Sequence, residues 1–203
     1  MNKEQIFWNW FLKNNSKFLS LNQINDRNLK ENLLDELLGQ LHDYSENLYF
    51  EIGGKPNEPQ ELVITAEGKK EHFDEVDKLI TEAPSIPNWR FIAFKQPEHI
   101  SFITEYEGLI LDPKLMWFLP LDNENDPNAL GLIVYLKNYS EHHKDLFIGG
   151  AFKVLDTLLG EKSTALDIQY LEVDKLPTNP TKKGLIELVD LPKYISWRNK
   201  KKS

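Results

Sequence analysis

The chain has 203 residues, of which 40% are hydrophobic and 11% aromatic, enough for a sizeable core and too apolar for an intrinsically disordered chain. It contains no cysteine, which excludes a disulfide framework, zinc–thiolate and iron–sulfur centres and a cysteine nucleophile. A formal charge of −8 makes the body a poor match for a phosphate backbone.

The charge is uneven. Residues 181–203 hold seven Lys/Arg and two acids, a net of +5, which leaves −13 for residues 1–180. A solvated, frayed basic end is the plain expectation for such a run; docking on an acidic face of its own body, or of a second subunit, is the sharper one. The first ten residues have neither an unbroken apolar stretch nor a small-residue cleavage site, so no secretory signal is expected. No run approaches the ~18 apolar residues of a membrane span. The cytoplasm is the expected location.

Two helices come first. Over residues 5–18, Ile6, Phe7, Trp10, Phe11 and Phe18 form one apolar face, and Trp8 with Leu12 forms a second side. Over residues 26–43, Leu29, Leu33, Leu34, Leu37, Leu38 and Leu41 make a wide stripe, with Asn25 or Asp26 as N-cap. Short strand-like runs follow. Leu48–Ile52 ends at Gly53-Gly54, and Leu62–Ala66 completes a hairpin with a long loop. A helix over 69–83 is stopped by Pro84, and Trp89–Phe94 is the next strand. The order then recurs: strand 116–119, loop 122–128, strand 132–136, a helix from Ser140 to Leu159 closed by Gly160, and strand 166–173.

An offset of 70 lays Leu62-Val63-Ile64 on Leu132-Ile133-Val134 and Glu71-His72 on Glu141-His142; an offset of 68 lays Tyr49-Phe50 on Trp117-Phe118. Each unit is followed by Gly-Leu-Ile, at Gly108-Leu109-Ile110 and Gly184-Leu185-Ile186. These matches imply an internal duplication. The expected fold is α+β: two ββαβ pseudo-repeats forming a two-layer, ferredoxin-like sheet with helices on one face, preceded by two N-terminal helices. The expected organisation is a helical pair (1–45), a first ββαβ unit (46–97), a connector (98–115), a second unit (116–177) and a C-terminal segment with the basic tail (178–203), all within one compact domain.

The runs Tyr49–Gly54, Glu61–Gly68 and Asn88–Phe94 resemble a bacterial family of leaderless acidic α+β proteins over residues 45–97. That family has no established activity, so the resemblance implies a fold and no chemistry. The layout is also similar, in architecture alone and with no shared motif, to the ribonuclease E inhibitor B family, small acidic α+β proteins that act by binding an enzyme.

Chemistry-bearing clusters are few. His142 and His143 follow Glu141, and His72 holds the matching repeat position. A zinc peptidase helix needs two histidines at i,i+4, whereas these two are adjacent and point to different sides. They stand as alternative site candidates against a reading as exposed first-turn residues. No nucleophile elbow, P-loop or dinucleotide fingerprint occurs. Gly53-Gly54 reads as a hairpin end, and Gly149-Gly150, inside a predicted helix, as close packing on the sheet. Asp122-Glu124-Asp126 reads as a solvated loop without the glycine and terminal glutamate of an EF-hand. No catalytic, cofactor-binding or metal-binding residue is therefore assigned, and no cofactor is expected.

The composition and patterning point to a cytoplasmic protein that binds another protein, as an inhibitor, immunity protein or adaptor does, without catalysis. A basic partner suits the acidic body. Neither membrane nor nucleic acid is expected as a partner; homo-oligomerisation stays open. Trp8 and Leu12 are the expected partner-binding residues if nothing in the chain covers them. Helix 26–43 and the segment around Tyr194 and Trp197 are the expected internal covers. The alternative is an enzyme or small-molecule binder with a site between the two repeats.

Overall fold

The structure is a computed structural model that describes residues 1–19, 21–55, 58–98, 101–123 and 126–202, with the side chains of Asn22, Pro127, Asn128 and Lys202 left aside. The fold class is α+β. The chain divides into two compact units, Met1–Lys95 and Gln96–Ser203.

In the first unit, α1 (Lys3–Asn14) opens with a capping box. Asn2 Oδ1 accepts from the Gln5 amide at 2.8 Å, and the Gln5 side chain accepts from the Asn2 amide at 3.3 Å. The helix stops short of the expected Phe18 and ends in a 3-10 turn, Asn15–Lys17. Its buried face is Phe7, Trp8 and Phe11, while Ile6 lies outside at 53% exposure, so the apolar face is rotated from the one expected. α2 (Arg27–Tyr44) is capped by Asp26. Only Leu37 and Leu41 of its leucine stripe are fully buried; Leu33, Leu34 and Leu38 are half-buried and Leu29 is exposed.

The sheet of this unit has the order β1-β2-β3, from β1 (Tyr49–Gly53), β2 (Gln60–Thr65) and β3 (Trp89–Ala93). β1 is antiparallel to β2, and α3 (Phe73–Thr81) crosses over to bring β3 parallel to β2. Leu62 and Ile64 on β2 are fully buried. The α1 rings pack on β3 from that side, Trp8 and Phe11 lying 4.5 and 5.6 Å from Phe91.

In the second unit, a hairpin absent from the sequence expectation occupies the connector: β4 (Thr104–Tyr106) and β5 (Leu109–Leu111). Its turn residues Glu107 and Gly108 both have positive φ, 47° and 83°, as a tight two-residue turn requires. A four-stranded sheet follows with the order β8-β7-β6-β9, from β6 (Trp117–Asn123), β7 (Asp126–Leu136), β8 (Ile168–Lys175) and β9 (Ile186–Glu187). β6 and β7 reach into the span expected to be a loop, of which Glu124 lies outside the described residues. α4 (Lys144–Leu159) covers one face with Phe147, Ala151, Val154, Leu155 and Leu158. Gly160, at φ 78°, breaks it and starts α5 (Glu161–Asp167), a helix the sequence did not suggest. The C-terminal segment is a helix, α6 (Leu191–Lys202), in place of a frayed tail, because Leu191 and Ile195 join the same core.

The expected single two-layer sheet is not formed. Among the described residues the strands make three sheets, of three, two and four strands. Within each of the two larger sheets an antiparallel pair is followed by a parallel one, although the second sheet alone has register shifts, at Asp122/Asn123 and Leu130/Gly131. Phe50 pairs with Ile64 and Leu62 with Phe91 in the first; Phe118 pairs with Val134 and Leu132 with Leu171 in the second.

Gly149 and Gly150 serve close packing, against the β4–β5 hairpin rather than the main sheet. A Cβ on Gly149 would lie 2.5 Å from the Tyr106 hydroxyl and 2.8 Å from its ring; one on Gly150 would lie 2.6 Å from a Leu111 methyl. Alanine gains about 1 kcal/mol over glycine in a helix. A leucine methyl can rotate away, so Gly150→Ala should be near neutral. A tyrosine ring can only lift the hairpin, so Gly149→Ala should be net destabilising by about 1–2 kcal/mol despite its propensity gain. Paired thermal melts check this; equal melting temperatures would contradict the packing.

Candidate functional site

The structure does not gather the expected histidines into a site. His72 closes a 3-10 turn, Lys70–His72, and its Nδ1 lies 3.1 Å from Glu75 Oε1. Burial alone would raise the Glu75 carboxyl, but hydrogen bonds from Ser45 and His72 outweigh it and hold the group below its usual range. Glu141, His142 and His143 form the matching 3-10 turn before α4 and all three are exposed. The His72 amide donates to the Lys69 carbonyl as the His143 amide does to that of Ser140. The turn equivalent of His72 is thus His143, one residue beyond the sequence match. Glu141 accepts from the Tyr139 hydroxyl, whose pKa is pushed up to about 12, first by that bond and then by burial and acidic neighbours. Among the described residues no group of three or more His, Asp or Glu is placed to hold a metal ion.

Trp8 is a core residue, which removes it from the expected partner-binding pair. It is 3% exposed, and its Nε1 donates to the Leu79 carbonyl at 2.7 Å. That carbonyl is in the last turn of α3, where it has no partner within the helix, so the indole caps α3. The cover is therefore α3 and β3, neither of the segments anticipated. Leu12 is on the surface at 50% exposure. Asp122 and Asp126 are strand residues, and Asp122 accepts from Arg198 at 3.2 Å.

The feature with recognisable binding geometry lies along β1. A groove of about 390 Å³ runs between α2 and this strand, lined by Leu21, Lys30, Leu34, Asp35, Leu38, Tyr49, Phe50 and Ile52.

Among the described residues, the backbone beside the groove has no strand partner on one side. The Gln60 amide donates to the Asn88 carbonyl, and the Phe94 amide donates to the Ile64 carbonyl. Alternate residues of a strand face opposite neighbours, so Gln60, Leu62 and Ile64 face β3, and Glu61, Val63 and Thr65 face β1. Their register partners Gly53, Glu51 and Tyr49 complete the ladder. Phe50 and Ile52 then direct their amides and carbonyls outward, and β1 is an edge of its sheet. Phe50 and Ile52 thus both line the groove and present open hydrogen-bonding groups, while Tyr49, also in its lining, belongs to the ladder with β2. Sequence alternation placed the strand; its edge status depends on strand order, which no local signal carries.

A second hollow, of about 540 Å³, lies between α1 and α3 and is lined by Glu4, Asp74, Asp77 and Glu82 with Lys78. No helix among the described residues is long and apolar enough to cross a membrane. No family model, curated protein or solved structure matches the chain.

Proposed function

We propose that the chain is a protein-binding module without catalysis of its own, and that it adds an extended segment of its partner to the open edge of β1. The observation that supports this is the fate of the same edge in the second ββαβ segment. We read the two segments as duplicated copies, in which β6 is the counterpart of β1. The edge of β6 is filled: β9 pairs with it antiparallel, Ile186 opposite Phe118 and Glu187 opposite Trp117, and the Leu188 amide donates to the Met116 carbonyl.

The sequence repeats Gly-Leu-Ile after each copy. In the second copy this run leads into β9. In the first it forms β5, which pairs with β4 and lies against α4. The strand that would close β1 is used elsewhere, and the edge stays open beside an apolar groove. Exposed edges are templates for strand addition, in which the backbone supplies affinity and alternate side chains enter pockets. The acidic body favours basic residues in the partner. An inhibitor, immunity or adaptor role fits this mode.

Proline at Ile52 would delete one outward amide and spare the β1–β2 ladder; proline at Glu51 would delete a ladder amide. Ile52→Pro should retain most thermal stability, and Glu51→Pro should lose more. Proteins cross-linked to the wild-type chain in native extract should be lost from Ile52→Pro. Retention of the same proteins by a folded Ile52→Pro would sink the proposal. The groove volume also falls in the range for small ligands. A co-purifying small molecule, held by Ile52→Pro and lost from Leu34→Trp in native mass spectrometry, would favour that second reading.

A further inference from the structure

α6 has two unlike faces. Leu191, Ile195 and Arg198 point inward and are buried, and the Tyr194 ring packs edge-on against Phe118 at 5.6 Å. The opposite face carries Lys193, Trp197, Lys200 and Lys201, at i, i+4, i+7 and i+8, and all four are exposed. No acidic residue occurs in the helix. The helix is held by its inner face, so this outer face is already ordered.

Lysines in a last helical turn are accounted for by the helix dipole. Trp197 is not. It is 50% exposed even with the Lys201 ammonium 4.1 Å from its ring centroid. The indole also lies 5.5 Å from the Tyr194 ring, and that contact still leaves half of it in water on the charged side of the helix. Tryptophan is among the residues most enriched at binding hot spots.

We infer that the outer face of α6 docks an acidic protein segment that sets an apolar side chain on Trp197 and carboxylates beside Lys200 and Lys201. Charge complementarity selects this partner. Lys193 is engaged by Asp190 at 2.9 Å, so Lys200 and Lys201 carry the free charge of the described face. Two lysines suit a short carboxylate cluster. They do not make the run of cations that a nucleic acid strand needs, and the remaining body, −13 over residues 1–180, repels a long polyanion. A short acidic segment feels mainly the local charge, since screening acts over about 8 Å at physiological salt. An anionic membrane would find only one apolar side chain on this face. The inference is independent of the β1 reading, because it concerns the other unit and different variants.

The test uses the full chain and a labelled synthetic peptide of glutamates around one leucine, followed by fluorescence anisotropy. Binding should weaken as salt is added. It should fall about tenfold or more in Lys200→Glu/Lys201→Glu and in Trp197→Ala, with melting temperatures retained. Ile52→Pro should bind the peptide as the wild type does. Absence of peptide binding, undiminished binding by the charge-reversed variant, or tighter binding of a single-stranded oligonucleotide or of anionic vesicles than of the peptide would each overturn the inference.

Discussion

Trp8→Ala is expected to destabilise the protein by about 3–5 kcal/mol, the range for truncating a buried tryptophan. The indole is 3% exposed. It packs edge-on against Phe7 at 5.0 Å and Phe11 at 5.9 Å and lies 4.5 Å from Phe91. Its removal opens a cavity where α1, α3 and β3 meet, and it also strips the Leu79 carbonyl of its donor. The two effects separate in a second variant. Trp8→Phe keeps a six-membered ring in place and loses the N–H with the rest of the five-membered ring, so its cost should be smaller than that of alanine but include about 1–3 kcal/mol for an unpaired buried carbonyl. Chemical denaturation with light scattering on the same samples checks both. The expected result is a large drop for Ala, a smaller one for Phe and an unchanged molecular mass. A lowered mass with an unshifted transition would return Trp8 to an interface.

This case shows where sequence reasoning reaches its limit. The composition of residues 6–12 states that α1 has more apolar surface than one face can hide. It does not state that α3 ends beside it with an unpartnered carbonyl, because that contact joins residues 71 positions apart. Local signals served well where the determinants are local. The Asp26 cap, the strand at 49–53 and the helix break at Gly160 all lie where short-range patterning puts them. Hydrophobic alternation fixes which residues face the core, and Phe50 opposite Ile64 and Phe118 opposite Val134 pair accordingly. Where two outcomes differ only in long-range pairing, patterning was silent. Gly-Leu-Ile reads alike at 108–110 and 184–186, yet one run becomes a hairpin arm and the other leads into a sheet edge strand. The position of β1 at the edge of its sheet is likewise a matter of strand order, outside the reach of local patterning. The histidines follow the plainer of their two readings: the turn before α4 leaves His142 and His143 in solvent.

The basic C-terminus is the second place where a long-range contact decides the structure. Arg198 lies in a segment whose composition suggested a solvated end, yet it is 8% exposed. Its Nη2 donates to the Ala129 carbonyl at 2.8 Å and to Asp122 Oδ1 at 3.2 Å, tying α6 to β6 and β7. The two partners are unequal. The Asp122 side chain is 81% exposed, so water takes over when the guanidinium leaves. The Ala129 carbonyl loses a charge-assisted donor, and the arginine stem loses its packing against the sheet. Arg198→Ala should therefore cost about 2–3 kcal/mol, and Asp122→Ala less than about 1 kcal/mol. Arg198→Lys should recover part of this, because both bonds come from the single nitrogen Nη2 and an ammonium can donate to two acceptors, while the other guanidinium donors are lost. Hydrogen exchange reads the effect directly. Amides of residues 191–202 should exchange faster in Arg198→Ala than in the wild type, while those of the first unit stay unchanged. Equal protection of α6 in the two proteins would mean that Leu191 and Ile195 hold the helix by themselves and that Arg198 only decorates it.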